Sequence, residues 1–98
     1  MWELIWLDSA VNDLVRLREF IAKSNKEAAK RAANTIHEAA IRLSNYPLIG
    51  KPVIDLPDYR DLLIRFGVGG YFLRYRIEEQ NIFIVHVRHY RESDFSVA

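Results

Sequence analysis

The sequence predicts an α+β domain in which an antiparallel helix hairpin packs on one face of a largely antiparallel sheet. Three observations predict it. Two stretches with apolar residues at helical spacing stand side by side in the first half of the chain. A short aromatic and β-branched segment precedes them, and three strand-like segments divided by turn residues follow. The expected order is strand, helix, helix, then a three-stranded meander. With 98 residues, positions 1–98 make a single domain with no room for a second core.

Trp2-Glu3-Leu4-Ile5-Trp6 reads as the first strand, with Trp2, Leu4 and Trp6 on one face. Asp8-Ser9 supplies N-cap chemistry for the first helix, in which Ala10, Leu14, Leu17 and Ile21 repeat at helical spacing. Ser24-Asn25-Lys26-Glu27 has the form of a capping box and starts a second helix reaching about Asn45. Its stripe of Ala28, Ala29, Ala32, Ala33, Ile36, Ala39, Ala40 and Leu43 lets it lie close to a neighbour. The join is so short that the two helices must turn back on each other. Arg18, inside the first apolar arc, and Ile41, opposite the alanine stripe, break the pattern.

Tyr46 to Asp58 carries Pro47, Gly50, Pro52 and Pro57 and reads as a loop. The strands that follow are expected over Arg60–Phe66, Tyr71–Glu78 and Ile82–His89, with turns at Gly67-Val68-Gly69-Gly70 and Glu79-Gln80-Asn81. Leu62, Ile64 and Phe66, then Tyr71, Leu73 and Tyr75, then Phe83, Val85 and Val87 are expected to face the helices. Ile82, Ile84, His86 and Arg88 are expected outside.

Composition excludes several classes. Hydrophobic residues make up 50% and charged residues 28%, so the chain is globular. Fourteen Lys and Arg against thirteen Asp and Glu give a net charge of +1, too little for a general nucleic-acid binder. There is no cysteine, which excludes a disulfide framework, a thiolate metal site and a Cys nucleophile, and which suits a reducing cytoplasm. Apolar runs such as Ile82 to Val85 are far too short to span a membrane, and the start of the chain lacks the basic region of a signal peptide. His86 and His89, three apart on a strand, cannot share an ion, and no metal or cofactor is expected. The glycines at 67, 69 and 70 join two strands and form no phosphate loop.

Six of the ten arginines lie in the second half. With the helices on one sheet face, Arg65, Arg74, Arg76, His86 and Arg88 fall on the other. Singly, each reads as an ordinary residue of a wet sheet face. As a set they point to recognition of something anionic, a nucleic-acid backbone or an acidic protein segment. The run Arg88-His89-Tyr90-Arg91 is the densest polar cluster. A histidine near neutral pH, arginines and a tyrosine are also the groups that metal-free RNA cleavage needs. On chemistry alone, though, the run reads first as a solvated strand end.

The arrangement resembles the RelE/ParE superfamily of bacterial type II toxins. The resemblance rests on Asp8-Ser9-Ala10, Tyr46-Pro47-Leu48-Ile49-Gly50-Lys51-Pro52 and Tyr59-Arg60-Asp61-Leu62-Leu63-Ile64. It continues through Gly70-Tyr71-Phe72-Leu73-Arg74-Tyr75-Arg76-Ile77 and Val87-Arg88-His89-Tyr90-Arg91, and so spans nearly the whole chain. It implies a cytoplasmic toxin, of the kind tied to plasmid stabilisation, held inactive by an antitoxin encoded beside it. That partner would wrap an acidic segment around the toxin; ribbon-helix-helix antitoxins are frequent with ParE-like toxins, and the sequence does not name the class. RelE-like members cleave mRNA on the ribosome without metal, whereas ParE-like members poison DNA gyrase. RelE-like members often carry an arginine after the third-strand tyrosine; here Phe72 follows Tyr71. The resemblance therefore implies the ParE-like branch, with Arg65, Arg74, Arg76, His86, Arg88, His89, Tyr90 and Arg91 contacting target or antitoxin. In the alternative, RelE-like branch, Arg74, His89, Tyr90 and Arg91 would be catalytic and the targets would be the ribosome and mRNA. A relative that binds antitoxin without being toxic is a third implication.

Overall fold

A helix hairpin lies on one face of a five-stranded sheet. The computed structural model describes residues 2–67 and 69–91. The elements are β1 (Glu3–Trp6), α1 (Asp8–Ala22), α2 (Lys26–Leu43), β2 (Lys51–Val53), β3 (Leu56–Phe66), β4 (Gly69–Glu78) and β5 (Asn81–His89). The strand order is β1-β5-β4-β3-β2. β1 runs parallel to β5, and every other pair is antiparallel. The α+β class, the hairpin and the meander are as the sequence predicts.

The core lies between helices and sheet. Leu73, Tyr75, Ile82, Ile84 and Val87 are inaccessible to solvent and meet Ala10, Leu17, Ile36, Ala39, Ala40 and Leu43. The alanines of α2 keep that helix close to the sheet, while Ile41 is left 58% exposed, as its place opposite the stripe requires. Trp2, Leu4 and Trp6 pack on the rim of this core.

Three local expectations are corrected. The loop after α2 contains a short strand, β2, whose Pro52 is tolerated because an edge strand has one side without ladder bonds. α2 is capped by Asn25, whose side chain accepts from the Ala28 N–H at 3.0 Å, and Ser24 stands outside it. Leu7, not Asp8 or Ser9, is the N-cap of α1. The Ser9 hydroxyl instead donates to the Val85 carbonyl at 2.6 Å. β1 pairs only as far as Ile84, so beyond it α1 covers the edge of β5 with its own side chains.

The fourth correction concerns β5. The ladder pairs Arg74 with His86 but Tyr75 with Ile84, which leaves Val85 as a bulge. An extra residue breaks strict alternation. Before the bulge Ile82 and Ile84 face the core and Phe83 faces away; after it Val87 is buried and Arg88 faces away. A uniform period of two, which put Phe83 and Val85 inside and Ile82 and Ile84 outside, could not anticipate this.

The β3–β4 hairpin turns tightly at Gly67, whose φ of 62° suits glycine. Gly70 is needed for a different reason: a Cβ there would run into the Ile64 carbonyl oxygen of β3. Backbone cannot yield as a side chain can. Gly70→Ala is expected to destabilise the protein by about 3 kcal/mol, measured as a lowered urea midpoint with unchanged slope.

Tyr75 clasps the loop after α2. Its hydroxyl donates to the Pro47 carbonyl at 2.7 Å and accepts from the Gly50 N–H at 2.9 Å. Arg60 adds a bond from Nη1 to the Gly50 carbonyl at 2.7 Å. Burial pushes the Tyr75 and Tyr71 hydroxyls above the usual tyrosine range, and at Tyr75 the Gly50 hydrogen bond and the charge of Arg60 offset part of that rise. Both groups stay protonated in the native state at a pH where the unfolded chain begins to ionise. Their contribution is therefore complete below the ordinary tyrosine range, about pH 10, and is lost as pH rises further through the raised native values. Urea titrations between pH 8 and pH 11.5 are expected to show this fall, and Tyr71→Phe is expected to make it shallower.

Candidate functional site

β4 builds the site by alternation. Tyr71, Leu73 and Tyr75 are buried under the helices, so Phe72, Arg74 and Arg76 stand on the open face. The ladder registers bring Leu63 and Arg88 beside Phe72, Asp61 and His86 beside Arg74, and Tyr59 and Phe83 beside Arg76. Three clusters result.

At one end of β4 the Arg88 guanidinium carbon lies 4.6 Å from the Phe72 ring centre, and the Tyr90 ring stacks on Phe72 at 5.7 Å and 15°. Tyr90 is 53% and Leu63 40% exposed, so this end is aromatic, cationic and accessible. In the middle, Arg74 grips Asp61 with both arms of its fork, Nε to Oδ1 at 2.8 Å and Nη2 to Oδ2 at 2.9 Å. That pair is close to neutral outward, and Arg74 is a building element of the face more than a donor to a ligand. At the other end Arg76 lies 4.9 Å over the Phe83 ring and 3.7 Å from the Glu78 carboxylate.

The remaining candidates lie elsewhere. Arg65, exposed near the end of β3, borders a cleft of about 520 Å³ against Thr35, Glu38, Ala39 and Arg42 of α2. His86 sits at the β5 edge with Nδ1 2.8 Å from Asp13 Oδ2, and the same carboxylate oxygen accepts from the Val87 N–H at 3.0 Å. Asp13 thereby satisfies backbone on the β5 edge beyond the end of β1. His89 packs edge-on against Tyr71, at 5.4 Å and 82°, on the helix side of the sheet. Its Nδ1 accepts from the Arg91 N–H at 3.0 Å, which assigns the neutral ring's proton to Nε2. His89 and Arg91 line a groove of about 650 Å³ with Arg16, Leu17, Phe20, Ile21 and Tyr71.

The eight candidates therefore do not form one surface. Arg74, Arg76, Arg88 and Tyr90 share the open face, His89 and Arg91 line the α1 groove, and Arg65 and His86 mark two edges. Phe72 and Phe83 as platforms, Asp61 as the partner of Arg74 and Asp13 as the partner of His86 were not singled out from sequence. The signal for Asp61 was present: a turn centred after Gly67 places residues 61 and 74 opposite each other. Among the described residues no group of three His, Cys, Asp or Glu gathers to hold a metal, and no helix is long and apolar enough to cross a membrane.

A strand–hairpin–meander domain that leaves an arginine- and aromatic-bearing sheet face open has the architecture of the RelE/ParE toxins, and comparison with known proteins agrees. Residues 4–94 match the family described as the ParE toxin of the type II toxin–antitoxin system parDE. The chain is 30% identical over 89 residues to Toxin RelE2 of Caulobacter vibrioides, covering 91% of this chain and 96% of that one. Among solved structures, the chromosomal ParDE system from P. aeruginosa superposes with a TM-score of 0.76 at 22% identity, covering 91% and 96% of the two chains. The toxin–antitoxin complex RelBE2 from Mycobacterium tuberculosis gives a TM-score of 0.61 at 27% identity, covering 90% and 96%. The chain belongs to the ParE toxin family and is a type II toxin of the ParE/RelE superfamily.

Proposed function

We propose that this toxin acts as a protein-binding inhibitor of DNA gyrase and is neutralised by an antitoxin encoded beside it. One observation carries the reading: His89 lies on the helix side of the sheet and Arg74 on the open side, bound to Asp61. Cleavage through the 2′-hydroxyl needs an acid or base and a charge stabiliser converging on one phosphate. Here the sheet stands between His89 and Arg74, which leaves only Arg16 and Arg91 as the arginines that line the groove with His89. Phe72, where a stabilising arginine would be expected, is occupied as a platform for Arg88 and Tyr90. Rings and a guanidinium at one accessible spot are the side chains that anchor protein interfaces. The match to the ParE toxin family supports the same branch, and the solved neighbours being toxin–antitoxin assemblies supports the antitoxin as partner.

The test is a supercoiling assay with purified gyrase. Inhibition at stoichiometric toxin, relieved by adding the antitoxin, is the expected result. Full gyrase activity at a tenfold excess of toxin would contradict the proposal.

A ribosome-dependent ribonuclease is the second reading, favoured by the similarity to Toxin RelE2 and by the histidine and tyrosine at the end of β5. It requires loss of toxicity in His89→Ala at unchanged stability. The gyrase reading requires that variant to stay toxic.

A further inference from the structure

The edges of a sheet leave every second backbone amide without a ladder partner, and a protein either closes such an edge or uses it. Most of the edge here is closed. β2 is short, carries Lys51 and Pro52, and shifts register between Pro52 and Val53. Beyond Asp61 the edge of β3 carries Arg65, and Arg42 of α2 lines the same cleft. On the far side α1 closes β5 past Ile84. The Ser9 hydroxyl donates to the Val85 carbonyl at 2.6 Å, and the Asp13 carboxylate accepts from the Val87 N–H at 3.0 Å.

β1 is different. It runs parallel to β5, with the Glu3 N–H bonded to the Gln80 carbonyl and the Leu7 N–H to the Ile84 carbonyl, both at 3.0 Å. The odd residues therefore give their backbone to β5, and the even residues point theirs outward. The Trp2 N–H reaches the Ser44 carbonyl at 3.4 Å, which closes the edge at that point. The outward amides of Leu4 and Trp6 bond nothing among the described residues. The side chains leave this edge bare as well. Leu4 and Trp6 turn to the rim of the core, and Ile5, opposite Phe83 in the ladder, stands on the open face. No charge, proline or bulge interrupts Leu4-Ile5-Trp6.

We infer that β1 pairs antiparallel with β1 of a second copy of this chain, about a two-fold axis at Ile5, and so joins two toxins edge to edge. One register uses both outward amides. Leu4 of each copy lies opposite Trp6 of the other and exchanges N–H···O bonds with it. Ile5 then faces Ile5 of the second copy, with Cβ atoms about 5 Å apart. In this register the strand is its own complement, as a two-fold interface requires. The residues that meet are apolar, and the two Glu3 carboxylates fall on opposite sides of the axis, at least about 13 Å apart. The β2 and β3 edges do not offer the same pairing, because Pro52 lacks a donor and Lys51 and Arg65 would bring like charges together. The ladder row Arg76–Phe83–Ile5 continues across the axis into the same three residues of the second copy, so the two open faces become one surface. A pairing this short gives a weak dimer, with a dissociation constant on the order of tens of micromolar.

The experiment is sedimentation velocity on the purified full chain from about 5 to 500 μM, across which the parent is expected to pass from monomer to dimer. Ile5→Lys and Ile5→Glu each set like charges face to face at the axis. Each alone is expected to weaken association at least about tenfold, with the fold checked by a circular dichroism melt. An equimolar mixture of the two variants is expected to recover the association of the parent, because opposite charges then meet at the axis. Leu63→Lys is the control. It adds the same charge to the open face, but on β3, and is expected to change association by less than about twofold. A parent that stays monomeric, Ile5 variants that associate as the parent does, a mixture no stronger than either variant alone, or an equal loss in Leu63→Lys would each overturn the proposal. A toxin that is monomeric alone, and whose complex with the antitoxin loosens in Ile5→Lys, would give this edge to that partner and overturn it as well.

Discussion

Tyr75→Ala is expected to lower the stability of this toxin by about 4 kcal/mol, the largest effect of any single substitution here. Tyr75 is fully buried beneath the helices. Removing its ring opens a cavity the surrounding Ile, Leu and Val side chains cannot fill, and such losses run to about 3–5 kcal/mol. The hydroxyl adds a second loss, because the Gly50 N–H and the Pro47 carbonyl would lose their partner. Small domains hold only about 5–15 kcal/mol in all, so the variant is expected to accumulate poorly and melt well below the parent. Tyr75→Phe separates the two contributions. It keeps the ring and strips the hydroxyl, and is expected to cost about 1–2 kcal/mol. Gly50→Ala approaches the same contact from the other side, since a Cβ there would lie 2.6 Å from the Tyr75 oxygen. Equal losses for Tyr75→Phe and Tyr75→Ala in urea titrations would show that the clasp, and not the core, is what the residue provides.

Arg88→Ala combined with Tyr90→Ala is expected to weaken target inhibition about a hundredfold while leaving stability within about 1 kcal/mol. The two side chains meet on Phe72, so neither can be removed without loosening the other's platform. Their effects should therefore be less than additive, and a double-mutant cycle on the toxin concentration needed for half inhibition measures the coupling. Arg65→Ala is the contrasting variant. It removes an equal charge from the α2 cleft, away from the Phe72 cluster, and is expected to shift inhibition by less than about threefold. If Arg65→Ala and the double variant were equally damaging, net charge and not the Phe72 cluster would govern binding.

The class of fold was legible because its signals are local. Alanines at helical spacing, an N-cap residue, paired turn residues and a clean alternation in β4 each declare an element without knowledge of its neighbours. What remained hidden depends on contacts distant in sequence. The bulge at Val85 has no signature in the segment Ile82–His89, where every residue but His86, Arg88 and His89 suits a core, yet it reverses which of them is buried. β2 was masked by Pro52 and by its length of three residues. Ser9 looked like a cap because the same hydroxyl that caps a helix can equally reach a strand, and only tertiary structure chooses Val85. The arginines were visible as a set, but their division was not. Arg74 is spent on Asp61, Arg76 is shared with Glu78, and the odd and even residues after Val87 part to different faces. Listing basic residues by sequence merged two surfaces into one.

The proposal that this toxin binds its target and does not cleave RNA is tested most directly by one paired measurement in cells. The toxin is expressed without antitoxin, plasmid topology is followed on chloroquine gels, and mRNA 5′ ends are mapped in the same cultures. Loss of negative supercoiling or appearance of DNA breaks, with mRNA ends unchanged and His89→Ala still toxic, is the result predicted for a gyrase inhibitor. New mRNA ends at ribosome positions, abolished by His89→Ala while plasmid topology stays normal, would contradict it and assign cleavage to His89 with an arginine of its own groove, Arg16 or Arg91.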